Sequence, residues 1–249
     1  MKSFLLAAGS FFAMSLHVFA LDMITKTIPE IRHHEISDIN PEYLVIYPEK
    51  EESEPPLLIY LHGAGQRGED ITELKKWGGP APVRFYRSSG SLPFLIIAPQ
   101  CKENRSWNVG DLNALFKHVS EAENFDKDRV YITGVSMGGH GTFRWVANRP
   151  EIFAAAVPVC GGWGRKDSAK PSAVEIKNLS SVPFWIFQGN QDKVVPSEGS
   201  KNLSKWIDNE NGYKTKLKIY ENLGHAIWNE TYTDNGRIYK WFLSKNRQK

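Results

Sequence analysis

The chain carries the sequence V-Y-I-T-G-V-S-M-G-G-H-G at residues 130–141. Its first half is rich in β-branched and aromatic residues and predicts a strand, and residues 141–147 predict the helix that follows. Between them, Gly134 and Gly138 flank Ser136 in a G-x-S-x-G pattern, which in a strand–turn–helix setting places a serine hydroxyl on a tight turn above the sheet. A pattern this short also arises by chance, so its meaning depends on whether an acid and a histidine follow.

Apolar runs alternate with amphipathic segments through the rest of the chain. We predict an edge strand near residues 28–36 and further strands at residues 42–47, 57–61, 94–98, 154–159, 184–187 and 214–220. Helices are predicted at residues 69–77, 111–123, 199–210 and 238–244. This alternation is typical of an α/β fold with a mostly parallel, doubly wound sheet of about eight strands and helices on both faces. Ligands of such sheets bind at the carboxyl ends of the strands.

The N-terminus differs in character from the remainder. Met1 and Lys2 precede an almost uncharged apolar run, Phe4–Val18. The residues up to Ala20 are small or are tolerated at the cleavage positions of a signal peptide. This is the pattern of a secretory signal peptide, and the run is too short for a stable membrane span. An uncleaved N-terminal anchor is the alternative. We predict a signal peptide at residues 1–20 with cleavage near Ala20, a secreted or periplasmic protein, and one catalytic domain at residues 21–249.

Composition narrows the class of protein further. Hydrophobic residues make up 41% and aromatic residues 12% of the chain, which is ample for a large core. The 31 basic and 28 acidic residues nearly balance, and no basic block interleaves with aromatics, so nucleic-acid binding is not expected. The seven histidines are scattered without ligand spacing, so neither a metal nor a cofactor is predicted.

An acid and a histidine do follow the serine. Asp192 and His225 each lie just past a predicted strand, which gives the chain order Ser136, Asp192, His225. A serine hydroxyl is a weak nucleophile until a general base removes its proton, and the base in turn needs a carboxylate that fixes its tautomer. Asp208 and Asp234 are rival acids, but one lies on a predicted helix and the other follows the histidine. The order predicts a Ser-Asp-His triad.

A tetrahedral oxyanion also needs hydrogen-bond donors in place before the reaction. The Met137 amide lies at the start of the predicted helix, where N–H groups lack intrahelical acceptors. The glycine-rich segment 62–65 ends a neighbouring strand, and we predict the Ala64 amide as the second donor. His62 at the start of this segment is expected to support the loop by hydrogen bonding rather than to take part in chemistry.

Four segments together carry a family resemblance, namely Leu61-His62-Gly63-Ala64-Gly65-Gln66-Arg67-Gly68, Ala98-Pro99-Gln100-Cys101, Gly134-Val135-Ser136-Met137-Gly138-Gly139, and Gly224-His225 with Trp228. The chain resembles secreted bacterial esterases of the α/β-hydrolase superfamily. The closest subgroup is the dienelactone-hydrolase-like or predicted-peptidase group, allied to family 1 carbohydrate esterases (feruloyl and acetylxylan esterases) and polyhydroxybutyrate depolymerases. The likeness runs from about Tyr43 to Phe242. It implies Ser136 as nucleophile, Asp192 as acid, His225 as base, and the Ala64 and Met137 amides as oxyanion hole.

The same resemblance bears on the two cysteines, Cys101 and Cys160. In the usual strand order of this fold, the strands that precede them are separated by two others, which is roughly 14 Å at the usual strand spacing. A disulfide needs Cα atoms within about 7 Å. Free, buried thiols are therefore predicted.

Further residues are candidates for contact with a substrate. Trp107, Trp163 and Trp228 fall in predicted strand-end loops, where they either pack in the core or form an aromatic platform for a sugar or phenolic group. Gln66 lies in the oxyanion segment, at a position where some relatives have a glutamate, so its role is open.

Lid domains of this fold usually follow the sixth strand. Here that connection, residues 161–182, has the length of a loop, so no large cap domain is predicted. An open site suits a bulky or polymer-attached ester. We predict a serine carboxylester hydrolase acting on acetyl or feruloyl esters of polysaccharides. The alternatives are a serine peptidase of the same fold and a non-catalytic carbohydrate-binding module, which the intact triad disfavours.

Overall fold

The computed structural model of the protein describes residues 22–86, 92–164 and 170–247. The predicted signal peptide, residues 1–20, lies outside these ranges. Among the described residues, no helix is both long and apolar enough to cross a membrane.

One sheet organises the described part of the chain. Its strands are β1 (Met23–Thr27), β2 (Ile39–Ile46), β3 (Pro56–Leu61), β4 (Leu95–Cys101), β5 (Asp126–Val135), β6 (Ala155–Val159), β7 (Trp185–Gly189) and β8 (Lys216–Tyr220). They lie in the order β1-β2-β4-β3-β5-β6-β7-β8. β1 pairs with β2, and β2 with β4, in antiparallel fashion, whereas every pair from β4 to β8 is parallel. The prediction of a mostly parallel sheet of about eight strands is confirmed.

The helices of the described residues are α1 (Ala81–Tyr86), α2 (Val109–Ala122), α3 (Met137–Asn148), α4 (Ala173–Ser180), α5 (Ser197–Asp208), α6 (Trp228–Thr233) and α7 (Arg237–Leu243). Helices α1 to α5 lie between the parallel strands, and α6 and α7 follow the last strand. Short 3-10 helices span Glu30–Glu35, Ala64–Gln66, Ile71–Gly78 and Pro150–Ile152.

The central strands are covered on both faces, as the predicted helix layers require. Every position of β3 and β4 is buried. Ile132 of β5 belongs to an apolar cluster with Phe143 of α3, whereas its neighbour Tyr131 belongs to a second cluster with Phe242 of α7. Successive side chains of a strand point to opposite faces, so these clusters are the two layers of the core. Helices therefore cover both faces of the sheet.

Several predicted boundaries are wrong. The edge strand is residues 23–27 rather than 28–36, because residues 30–35 form a 3-10 helix after Pro29. β5 begins at Asp126, four residues earlier than predicted, where it pairs with Pro56 across a register shift. The helices α1, α4 and α6 were not predicted.

The connection between β6 and β7 has no element larger than a single helix among its described residues, which are 160–164 and 170–184. Its helix, α4, spans eight residues. In these ranges the structure agrees with the prediction of no large cap domain.

Candidate active site

Ser136 occupies the sharp turn between β5 and α3. Its backbone has φ 55° and ψ −111°, a conformation rare for residues other than glycine. The turn fits because both flanking glycines lie against backbone. A Cβ on Gly134 would lie 2.4 Å from the Gly138 carbonyl oxygen, and one on Gly138 would lie 1.9 Å from the Leu61 carbonyl oxygen. Sterics therefore require glycine at both positions, as the sequence pattern predicts.

The structure brings the three predicted triad residues together. Ser136 Oγ lies 2.8 Å from His225 Nε2, and His225 Nδ1 lies 2.7 Å from Asp192 Oδ2. The carboxylate can only accept, so Nδ1–H donates to Asp192 and leaves Nε2 to accept the Ser136 hydroxyl proton. The Asp192 side chain is wholly buried, and the His225 side chain is 21% exposed. The imidazole can therefore meet an incoming substrate while its carboxylate partner stays out of water.

The loop after β7 holds the Asp192 carboxylate in place. Its Oδ1 accepts hydrogen bonds from the backbone amides of Val194 at 2.8 Å and Val195 at 2.9 Å. Its Oδ2 accepts from Gln188 Nε2 at 3.0 Å in addition to His225. A buried charge is tolerated where its lone pairs are satisfied, and here four donors surround one carboxylate.

Both predicted oxyanion donors begin a helical segment. α3 starts at Met137, and the short 3-10 helix that follows β3 starts at Ala64. The first amides of a helix have no acceptor within it and favour negative charge. Ala64 and Ser136 also line the same cavity.

His62 supports the Ala64 segment from behind. Its Nε2 accepts from the Cys101 amide at 2.9 Å, so Nδ1–H donates to the Gly63 carbonyl at 2.7 Å. The Trp107 indole N–H donates to the His62 carbonyl at 3.0 Å. Burial lowers the pKa of His62 to about 4, so the ring stays neutral at physiological pH. The predicted supporting role agrees with these contacts.

A cavity of about 460 Å³ opens over Ser136 and His225. Its other lining residues are Tyr60, Gly63, Ala64, Gly65, Gln66, Lys76, Gly79, Ala81, Arg84, Val135, Val194 and Trp228. Of the predicted substrate contacts, Gln66 and Trp228 line this cavity. The sequence did not single out Tyr60, Lys76, Arg84 or Val194, and only Val194, two residues past Asp192, carried a positional hint.

The three candidate tryptophans do not form one platform. Trp107 is 9% exposed and packs edge-on against His62. Trp163 is 6% exposed, and the Arg144 guanidinium lies over its ring at 4.0 Å from the centroid. Neither lines the cavity, and both pack as the core alternative describes, whereas Trp228 lines the cavity.

Both cysteines are free and buried, as predicted. Cys101 ends β4 and Cys160 follows β6, with β3 and β5 lying between them in the sheet. Burial raises the pKa of Cys101 to about 11 and that of Cys160 to about 12.

No cluster of three or more histidine, cysteine, aspartate or glutamate side chains in residues 22–86, 92–164 and 170–247 is arranged to hold a metal ion.

The chain is similar to known proteins in sequence and to solved structures in fold. A protein of Escherichia coli (strain K12) assigned as a carboxymethylenebutenolidase is 24% identical over 177 residues, which cover 65% of this chain and 65% of that protein. A solved thermostable esterase superposes with a TM-score of 0.74 at 27% identity, over 92% of this chain and 63% of that one. The chain thus spans slightly less than two thirds of the length of each. A solved ferulic acid esterase has a TM-score of 0.65 at 14% identity, over 89% of this chain and 97% of that one, and shares the fold.

A family model also matches the chain. The model of the dienelactone hydrolase family matches residues 97–240, more than half of the chain, and this range contains all three residues that meet at the turn after β5. The strand order and the neighbouring solved structures are those of the α/β-hydrolase fold. The chain belongs to the dienelactone hydrolase family.

Proposed function

We propose that the protein is a secreted serine carboxylester hydrolase that works through Ser136, Asp192 and His225 and an acyl-enzyme intermediate. The observation that carries this proposal is the unbroken chain of hydrogen bonds from Ser136 through His225 to the buried Asp192. Membership of a hydrolase family supports the same reaction class.

In the acylation step, His225 Nε2 takes the hydroxyl proton as Ser136 Oγ attacks the ester carbonyl carbon. Asp192 stabilises the imidazolium that forms and keeps the ring oriented. The carbonyl oxygen becomes an oxyanion, which accepts hydrogen bonds from the Ala64 and Met137 amides. The intermediate then collapses, and His225 returns its proton to the departing alcohol oxygen.

Deacylation repeats these steps with water. His225 takes a proton from a water molecule that attacks the acyl carbon, and the oxyanion forms again between the two amides. The Ser136–acyl bond then breaks as His225 Nε2 returns its proton to Ser136 Oγ. The products are a carboxylic acid and the regenerated hydroxyl. Each oxyanion donor typically contributes about 10²–10³ in rate, so the preformed amides are essential to both steps.

The substrate that we propose is an acetyl or feruloyl ester attached to a polysaccharide. The cavity of about 460 Å³ is large enough for a phenolic acyl group. Trp228 lies at its wall with its ring edge-on to His225, where an aromatic or sugar ring could pack. The signal-peptide pattern of residues 1–20 supports action outside the cytoplasm.

The decisive experiment compares hydrolysis of a small activated acetyl ester by the parent protein and by Ser136→Ala. A suitable control is Ser120→Ala, because the Ser120 hydroxyl on α2 has no hydrogen-bond partner and lies outside the cavity. We expect turnover by the parent and the control, and a loss of at least about 10³-fold in Ser136→Ala. Equal activity in all three proteins would remove Ser136 from the mechanism.

A panel of substrates then separates the possible activities. Feruloyl and acetyl-sugar esters are expected to be cleaved in a Ser136-dependent way. Cleavage of peptide amides in preference to these esters would replace the esterase proposal with a peptidase. Binding of a polysaccharide without any turnover would indicate a non-catalytic module.

A further inference from the structure

We propose that Gln188 is a positioning residue of this site, which holds the Asp192 carboxylate and withdraws part of its charge. The inference rests on the proposed function, because it assigns Gln188 to the Ser136–His225–Asp192 system. Gln188 acts through Asp192 and does not touch the reacting atoms.

Gln188 lies at the end of β7 and is completely buried. Its Nε2 group donates to Asp192 Oδ2 at 3.0 Å and to the Val195 carbonyl oxygen at 2.6 Å. Both partners are acceptors, so the amide orientation is fixed by chemistry and both of its N–H groups are used. A buried amide that donates both of its N–H groups to one four-residue loop fixes the position of that loop.

The two contacts close the loop from Asp192 to Val195 against β7. Val195 donates its amide to Asp192 Oδ1, while its carbonyl accepts from Gln188. Asp192 is therefore held from the loop side by backbone and from the strand side by a side chain. The strand is a rigid element, so Gln188 adds a fixed support from the sheet to that of the two loop amides.

Gln188 and His225 donate hydrogen bonds to the same carboxylate oxygen of Asp192. Oδ2 accepts from Gln188 Nε2 and from His225 Nδ1, which lies 2.7 Å away. A donor to a carboxylate stabilises its charge and so weakens the pull of that charge on a neighbouring imidazolium. Gln188 therefore moderates how strongly Asp192 stabilises the protonated form of His225.

Gln188→Met tests this role, because methionine has similar length and volume but no donor. Two backbone amides still hold Asp192 Oδ1 in the variant, so Oδ2 stays beside His225 with more charge. We expect the acid limb of the kcat/KM profile to move to higher pH by about half a unit, which is about a threefold loss on that limb, with little loss at alkaline pH. The low-field proton resonance of His225 Nδ1–H, measured without substrate, is expected to move further downfield.

Two controls separate this role from a general effect on folding. Gln191→Met makes the same exchange at an exposed position of the same loop. Ser200→Ala removes a buried hydroxyl that donates to the Gly161 carbonyl at 2.9 Å and lies 3.5 Å from Gln188 Oε1, on the side of the amide away from the N–H groups that hold Asp192. Both controls are expected to leave the acid limb and the low-field resonance unchanged, even if Ser200→Ala lowers the melting temperature.

Gln188→Glu provides a second variant should Gln188→Met fail to fold. It places a second carboxyl group beside Asp192, and two carboxylates in contact cannot both ionise without repulsion. We expect a new loss of activity on the alkaline side, opposite in direction to the methionine variant.

The outcomes are distinct. An acid limb and a low-field resonance that stay at the parent values in folded Gln188→Met would overturn the proposal, as would a shift to lower pH. If the parent shows no Ser136-dependent turnover, the proposed function fails, and the low-field resonance alone then decides whether Gln188 acts on Asp192 and His225.

Discussion

Gly138, in the first turn of α3, packs so closely on the end of β3 that a Cβ at this position would lie 1.9 Å from the Leu61 carbonyl oxygen. Leu61 immediately precedes the segment that carries Ala64. The contact therefore joins α3, which begins at the expected oxyanion donor Met137, to β3, which leads to the other expected donor, Ala64. Ser136 is the residue that immediately precedes this helix.

A methyl group at this contact should disturb both stability and activity. We expect Gly138→Ala to lower the free energy of unfolding by about 1–3 kcal/mol, because the methyl group meets backbone that cannot rotate away. Gly199→Ala is the matched control, since a Cβ there meets nothing within 4 Å and the residue lies in α5. Alanine favours helix, so this control should stabilise the protein by up to about 1 kcal/mol. Urea unfolding of both variants measures the contrast, and equal effects would contradict it.

Asp192→Asn should preserve the fold and abolish most turnover. The asparagine carbonyl would accept from the Val194 and Val195 amides, which places its NH₂ group against the Gln188 and His225 donors. His225 would have to change tautomer and could no longer accept the Ser136 proton. We expect a loss in kcat on the order of 10³–10⁴-fold with little change in KM.

Asp208→Asn is the control for that variant. Asp208 is the rival acid by residue type, but it accepts from the Thr215 amide at 2.7 Å and lies at the end of α5. Its replacement should leave kcat unchanged. A large loss in Asp208→Asn together with an active Asp192→Asn would show that the acid has been assigned to the wrong residue.

Local patterns sufficed for the parts of the fold that lie next to the site. The turn at Ser136 could be predicted because its glycines are required by backbone contacts that any such turn makes.

The helix α4 was missed although it begins with a capping box, in which Ser172 accepts from the Glu175 amide and the Glu175 carboxylate accepts from the Ser172 amide. That S-x-x-E signal was available in the sequence.

Other features depend on tertiary contacts that no local pattern carries. Trp107 and Trp163 occupy loops by sequence, yet their rings pack on His62 and beneath Arg144. Gln188 is one amide at the end of an apolar strand, and it acquires meaning only because its neighbour Asp192 meets His225, which lies 33 residues further along the chain. Burial of loop residues and long-range partners of polar residues are properties of the assembled fold.

The two thiols should be inert in the native protein. Both cysteines are fully buried, and burial raises the pKa of each well above neutral, so the reactive thiolate is scarce and shielded. We expect no reaction with a thiol-specific chromogenic reagent at pH 8, and two reactive thiols per chain after unfolding in guanidinium. A reducing agent should not change the melting temperature. Rapid labelling of the folded protein would contradict this assignment.

Acid should destabilise the protein partly through His62. An unfolded histidine takes up a proton below about pH 6.5, whereas burial holds the pKa of His62 at about 4 in the folded protein. The unfolded state thus binds more protons between these values, so the free energy of unfolding is expected to fall by up to about 3 kcal/mol as the pH drops from about 6.5 to 4. Above about pH 6.5 the His62 ring is neutral in both states, so this loss of stability is absent there.

Substitution at two histidines isolates this contribution from that of the carboxylates, which titrate in the same range. His62→Gln loses the hydrogen bonds to Gly63 and Cys101, so it should be less stable than the parent at pH 7.5. It cannot take up a proton, however, and its unfolding free energy should therefore decline less on acidification. His34→Gln, at an exposed position, should follow the parent at every pH. Guanidinium unfolding of the three proteins between pH 7.5 and 4.5 measures the slopes, and parallel slopes for His62→Gln and the parent would show that His62 is already able to bind its proton in the folded state.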